Sequence, residues 1–558
     1  MLVRFAFVVL FAVGLSAQSD QSAHAPSVQQ GYRIAGIVVN WATGQPVAGA
    51  SVAIAPTTQG IERHISRSVI TSSDGRFVFA SLSRGKYSLV AAAHGFMFQG
   101  FERHGMYSTA VVTGPDLDSE HLVFRLQPDA SIEGIVTDEN NDPVQNAMAR
   151  LFEQSREEGR QRTVPMNQGQ TDDQGQFRIG HLEPGTYYLA VSARPWYAQN
   201  NRVILRRKSN NPDAEARAAQ EAAALDVTYP LTFYPDSADS AGASPIVLHP
   251  GERVTADVVM RAVPSLHLRI RTSISGGAGG PGMVGFPRVL QRIFDGYLDP
   301  VFNAPESSVE PGVVDIAGLA PGHYVIEMPS SKGGNDKGAN REGYREVDLA
   351  GDLEVNANDS SGFVSVGGSV LFEGAQLVPK GVAMQLSNQE TSENFASEIR
   401  DKGQFEFEGM KPGRYTVALQ GSGGYFLRKM SVTGAKLTGR TLEIGGSSSV
   451  HIAATVGRGV AQVDGVALRG GQPFSGAMIV LVPRDAANNS PLFRRDQSDS
   501  DGSFTLPNVV PGQYIVLALA DGWGLEWGNP AVLQPYLQGG EAVQITGDGK
   551  LQIEVRVQ

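Results

Sequence analysis

One order of apolar and polar positions returns five times along the chain. Its form is Gly-x-Phe-x-apolar-x-x-apolar-x-x-Gly-x-Tyr, at Gly75–Tyr87, Gly175–Tyr187, Gly312–Tyr324, Gly403–Tyr415 and Gly502–Tyr514. Phe77 and Phe79, Phe177 and Ile179, Val314 and Ile316, Phe405 and Phe407, and Phe504 and Leu506 alternate, so each pair lies on one face of a strand. A third anchor follows at Leu82, Leu182, Leu319, Met410 or Val509. A second alternation starts at each tyrosine, as in Tyr187-x-Leu189 and Tyr514-x-Val516. The glycine between the two alternations follows Pro184, Pro321, Pro412 or Pro511 in four copies and reads as a tight turn. The unit therefore predicts strand, turn, strand. Asp74-Gly75 and Asp501-Gly502 add a hairpin signal in front of it. A hairpin alone cannot bury a core, so each copy must belong to a larger domain.

The successive tyrosines are about 100, 137, 91 and 99 residues apart, the usual size of a β-sandwich. Three copies are preceded by one further pattern, an opening strand and then a turn. These are Ile34-Ala-Gly36-Ile-Val38 with Gly44-Gln-Pro-Val-Ala-Gly-Ala50, Ile132-Glu-Gly134-Ile-Val136 with Asp142-Pro-Val, and Val463-Asp-Gly465 with Gly471-Gln-Pro-Phe-Ser-Gly-Ala477. The expected domains are 29–127, 128–262, 263–357 (degenerate), 358–457 and 458–558. The second carries an alanine-rich helical insertion at 212–225, and the third has a glycine-rich run at 276–285. The fold class is all-β: a tandem array of about five antiparallel sandwiches, read as a stiff array that displays loops away from an anchor point.

Composition narrows the function. Of 558 residues 65 are Gly, none is Cys, and the net charge is −11, which argues against nucleic acid or an anionic membrane as partner. Without cysteine there is no disulfide, thiolate metal site or cysteine-linked lipid anchor. Residues 1–25 read as an export signal: Arg4, the apolar stretch Phe5–Leu15, then Ala23-His24-Ala25. No later segment is apolar for long enough to span a membrane. A secreted protein of a bacterial periplasm or outer cell surface is expected.

Together, Gly-x-Val, Gly-x-Pro-Val-x-Gly-Ala, Asp-Gly-x-Phe and Pro-Gly-x-Tyr resemble the carboxypeptidase regulatory-like domain family. The match is fullest in the first, second and fifth domains. The resemblance implies a seven-stranded, transthyretin-like antiparallel sandwich, similar to collagen-adhesin B-type domains. It also implies a generally non-catalytic accessory module, so any enzyme must be sought in the residues themselves.

His249-Pro-Gly-Glu252 is the one His-x-x-Glu pair that a zinc peptidase would use, with His267, His323 or His451 as third ligand. Its Pro-Gly centre reads as a turn, and neither a nucleophile elbow nor a P-loop occurs. No catalytic residue and no cofactor are expected. Asp496, Asp499 and Asp501 are weak calcium candidates, since such loop carboxylates also stabilise turns. A positional signal is left. The loop after the tyrosine strand is aromatic, with Phe96 and Phe98 in the first domain, Trp196 and Tyr197 in the second, and Trp523 and Trp527 in the fifth. Exposed, these rings stack on sugars or dock a protein; buried, they plug sandwich ends or pack between domains. A non-catalytic binding or scaffold protein of the envelope is expected, with carbohydrate as the preferred partner and another envelope protein as the alternative.

Overall fold

A computed structural model describes residues 31–57, 67–156, 158–198, 212–271, 287–299, 306–307, 313–329, 341–375, 377–391, 393–421, 423–446 and 449–558. The export signal at 1–25 and the glycine-rich run at 276–285 lie outside them. Two-sheet units follow one another along the chain. In the first, Tyr32–Asn40 lies between Arg76–Leu82 and Leu122–Leu126, and a second sheet is centred on Ser51–Pro56 and Gly85–Ala92. The same plan recurs around the opening strands Ala130–Thr137, Leu266–Arg271, Val364–Phe372 and Ala461–Arg469. Apolar residues of both sheets meet in one core per unit. The helix Pro212–Leu225 stands where the alanine-rich insertion predicts it. Among the described strands pairing is antiparallel except where, in every unit, the opening strand runs parallel to the closing strand. The fifth unit adds one parallel bridge, Ala518 to Val557.

The repeat is not a hairpin. Its first strand pairs with the opening strand of one sheet, while its second belongs to the opposite sheet. The chain thus crosses the sandwich between them, in all five copies. The crossing needs a bulge, and the register slips in each copy just before the third apolar anchor. The residue there is Ser81, His181, Gly318, Gly409 or Asn508, each with positive φ (56–84°). The tyrosine closes the crossing. Its hydroxyl donates to the carbonyl four residues back, from Tyr87 to Ser83 at 3.0 Å and from Tyr187, Tyr324, Tyr415 and Tyr514 to Glu183, Ala320, Lys411 and Val510 at 2.8 Å. This resembles the tyrosine corner of immunoglobulin sandwiches. In four copies the glycine two residues earlier lies under the ring. A Cβ on Gly512 would come within 3.2 Å of Tyr514, and on Gly185, Gly322 and Gly413 within 3.4–3.6 Å of theirs, whereas one on Gly85 would meet nothing within 4 Å.

The units do not form an open array. Arg103 pairs with Glu183 across the first and second units (2.7 Å), and Arg162 of the second donates to the Thr391 carbonyl of the fourth (2.6 Å). Phe294 of the third lies on Phe152 and Tyr188 of the second. The first unit also seats on the fifth, about 400 residues away in sequence, where Lys86 Nζ meets Asp499 Oδ2 at 2.6 Å. The expected display of every loop away from an anchor gives way to a chain folded back on itself.

Candidate functional site

The aromatic loops meet different fates. In the described part of the one after the strand Gly185–Ser192, Trp196 is 91% exposed. Tyr197 meets it edge-on at 5.6 Å, and burial followed by the charges of Glu139 and Asp138 raises the Tyr197 phenol above its ordinary pKa. Below Trp196 opens a cleft of about 830 Å³ at the end of the second sandwich. Its wall comes from the turn after the opening strand (Asp138, Asp142, Asn146), from Gln170, and from Ser192 and Arg194 at the base of the aromatic loop. Cleft volume and composition suit an organic ligand, with an apolar plate and a few placed polar groups. In the first unit Phe98 is 67% exposed, while Phe96 packs on the core beside Phe101.

The fifth-unit loop is covered. Trp523 stacks on His104 of the first unit at 4.6 Å and 5°, and its indole N–H donates to the Gly476 carbonyl (3.1 Å). Trp527 packs on Phe493 and lies under Arg495, whose guanidinium is 4.5 Å from the ring centre. The adjoining contact is largely polar. Gln497 Nε2 donates to the Glu102 carbonyl (2.6 Å) and to Thr109 Oγ1 (2.8 Å), and the Ser500 N–H donates to the Ala110 carbonyl (3.0 Å). No short motif in the sequence marks this partnership, because its two halves lie in distant units.

The three carboxylates considered for calcium serve separate partners. Asp499 takes Lys86 and the Ala110 N–H, Asp496 the Thr505 N–H (2.7 Å), and Asp501 the Ser503 N–H (3.1 Å). Burial raises the Asp496 carboxyl to about 6 and pushes Asp499 up as well, against the attraction of Lys86. Among the described residues no group of three or more His, Cys, Asp or Glu is placed to hold a metal ion.

His249 and Glu252 make a turn, in which the Glu252 carboxylate accepts the His249 backbone N–H (2.8 Å). The proposed third ligands lie elsewhere. His267 is buried between Asp226 (2.9 Å) and Asp315 (3.1 Å), His323 meets Asp348 (2.8 Å), and His451 stands on the strand Ser449–Arg458.

Residues 33–104 and 131–217 match the carboxypeptidase regulatory-like domain. Residues 361–445 match the second β-sandwich domain of BOS complex subunit NOMO1-like proteins. No curated protein matches the chain. Among solved structures it is similar to the TIE protein of Bacillus anthracis, at 12% identity over 74% of this chain and 70% of that one, with a TM-score of 0.16. A streptococcal ancillary pilin matches at 10% identity over 53% and 99% of the two chains, TM-score 0.19. A variant of BcpA, the major pilin subunit of Bacillus cereus, matches at 11% identity over 76% and 99%, TM-score 0.14. The first two units thus match the carboxypeptidase regulatory-like domain in tandem, and the fourth a NOMO1-like sandwich.

Proposed function

We propose that this chain is an exported, non-catalytic, multi-domain binding protein of the cell envelope that recognises carbohydrate at the end of its second sandwich. The domain bounds we assign are 29–127, 128–262, 263–357, 358–457 and 458–558, after a leader at 1–25. The observation that carries the reading is Trp196. A tryptophan 91% exposed above a cleft forfeits the burial that normally keeps this side chain inside. A pyranose ring offers its C–H face to such a plate and its hydroxyls to Asp138, Asn146, Gln170 and Ser192. Trp523 and Trp527 are left out of the reading, since the first unit and Arg495 already occupy them. Among the described residues no helix is long and apolar enough to cross a membrane.

The test is a titration of the intact protein with envelope and plant-type polysaccharides, read by tryptophan fluorescence. The reading expects a saturable blue shift that Trp196→Ala abolishes. Binding that survives Trp196→Ala, or capture of a single envelope protein lost with the same substitution, would replace it with the alternative of protein adhesion or assembly.

A further inference from the structure

The reading of a glycan cleft leaves the class of glycan open, and Asp138 bears on it. Asp138 is buried, at 7% exposure, and lines the cleft. One carboxylate oxygen, Oδ1, accepts the backbone N–H groups of Asn140 (2.8 Å) and Asp142 (2.9 Å) and so holds the turn. The other, Oδ2, has no donor among the described residues. A turn does not need that second oxygen. The equivalent position of the first unit is Asn40, whose single Oδ1 accepts Ala42 N–H (2.8 Å) and Thr43 N–H (3.2 Å) in the same way. A carboxylate where an amide suffices leaves a spare anionic acceptor in the cleft wall, which the turn does not use.

Resting on the glycan reading, we propose that Asp138 Oδ2 accepts a sugar hydroxyl and that the cleft selects uncharged glycans, rejecting uronate and sulfate chains. Trp196 supplies the stacking plate, and Asp138 supplies the charge-assisted bond that fixes which edge of the ring faces inward. Asp142 lines the cleft and Glu139 adjoins it. An acidic sugar would set its own carboxylate against these groups. Arg194, the one cation of the lining, donates to the Ala198 carbonyl (3.2 Å) within its own loop.

The experiment is calorimetry on the intact protein with cello-, laminari-, manno- and xylohexaose and with hexagalacturonate, repeated for Asp138→Asn and Trp196→Ala. Asn keeps the turn as Asn40 does, and an unchanged thermal midpoint confirms it. At least one neutral hexaose is expected to bind and hexagalacturonate is not. Asp138→Asn should weaken the neutral ligand about tenfold or more and narrow the gap to the acidic one. Equal binding of hexagalacturonate by the wild type overturns the proposal. So does an unchanged affinity in Asp138→Asn while Trp196→Ala abolishes binding, and both results leave the cleft itself standing. If no hexaose binds, or Trp196→Ala changes nothing, the glycan reading fails and the selectivity falls with it.

Discussion

The loops after Tyr187 and Tyr514 occupy the same place in two copies of one sandwich, and each carries two aromatic rings. In one, Trp196 is exposed beside a cleft. In the other, Trp523 and Trp527 are sandwiched by His104, Phe493 and Arg495. The sandwich does not decide between these outcomes, because both loops leave equivalent strands. The packing around each loop decides. His104 of the first unit covers Trp523. Trp527 is covered by Phe493 and Arg495 of its own unit and by the Gly159 turn of the second, whose carbonyl accepts the Gly528 N–H at 2.8 Å. The described end of the second sandwich around Trp196 keeps its cleft. Aromatic residues on a repeated loop are thus open to a ligand only where the folded-back chain leaves them exposed.

The comparison can be broken by substitution. The largest effect is expected at the covered loop. Trp527→Ala removes a ring packed on Phe493 and Arg495 and should cost about 2–4 kcal/mol in chemical denaturation, while Trp196→Ala should change stability by less than about 0.5 kcal/mol. Comparable losses at the two sites would erase the distinction. Next comes the clasp that does the covering. Asp499→Ala strands Lys86 and the Ala110 N–H and should cost about 1–3 kcal/mol. It should also enlarge the maximum dimension in small-angle scattering as the first unit lifts away, and an unchanged dimension would show that the other contacts hold the fold-back alone.

The pH dependence follows from Asp496. Its folded pKa of about 6 lies above the unfolded value of 3.8. The folded state therefore holds this proton more tightly, and the stability it confers is fully present below pH 3.8 and lost as pH rises through 6. Asp496→Asn, which keeps an oxygen for the Thr505 N–H, should flatten that fall and raise stability at pH 7 by up to about 2 kcal/mol. Equal slopes for wild type and variant across that window would show that the carboxylate is not penalised by burial. The smallest effect belongs to the frame that both loops share. Tyr187→Phe and Tyr514→Phe each delete one hydroxyl bond across the crossing and should each cost about 1 kcal/mol, equally in both units.

Much of this frame is legible in residue order. Period-two alternation finds the core pairs such as Phe77 and Phe79, and the buried Tyr187, Tyr324 and Tyr415 stand where the repeat puts them. The partner of each strand is less legible. Pro-Gly between two alternating runs looks the same whether the chain doubles back in one sheet or crosses to the other. What betrays the crossing is the residue before the third anchor, since Asn508, Gly318 and Gly409 tolerate the positive φ of a bulge. Ser81 and His181 hide it in the two units whose sequences are otherwise most regular. The candidate site is half legible. An aromatic loop can be seen in sequence, but the cover of Trp523 by His104 depends on contacts about 400 residues apart, beyond any local pattern. Asp138 is hidden differently, because Asp138-Glu-Asn-Asn-Asp142-Pro143 reads fully as a turn and the spare oxygen appears only when the cleft is seen.

The most direct test is tryptophan oxidation by N-bromosuccinimide with peptide mass mapping, with and without a bound neutral polysaccharide. The account predicts rapid modification of Trp196, slow modification of Trp523 and Trp527, and protection of Trp196 by the glycan while the other two are unaffected. Protection of Trp523 or Trp527 with Trp196 unchanged would contradict it.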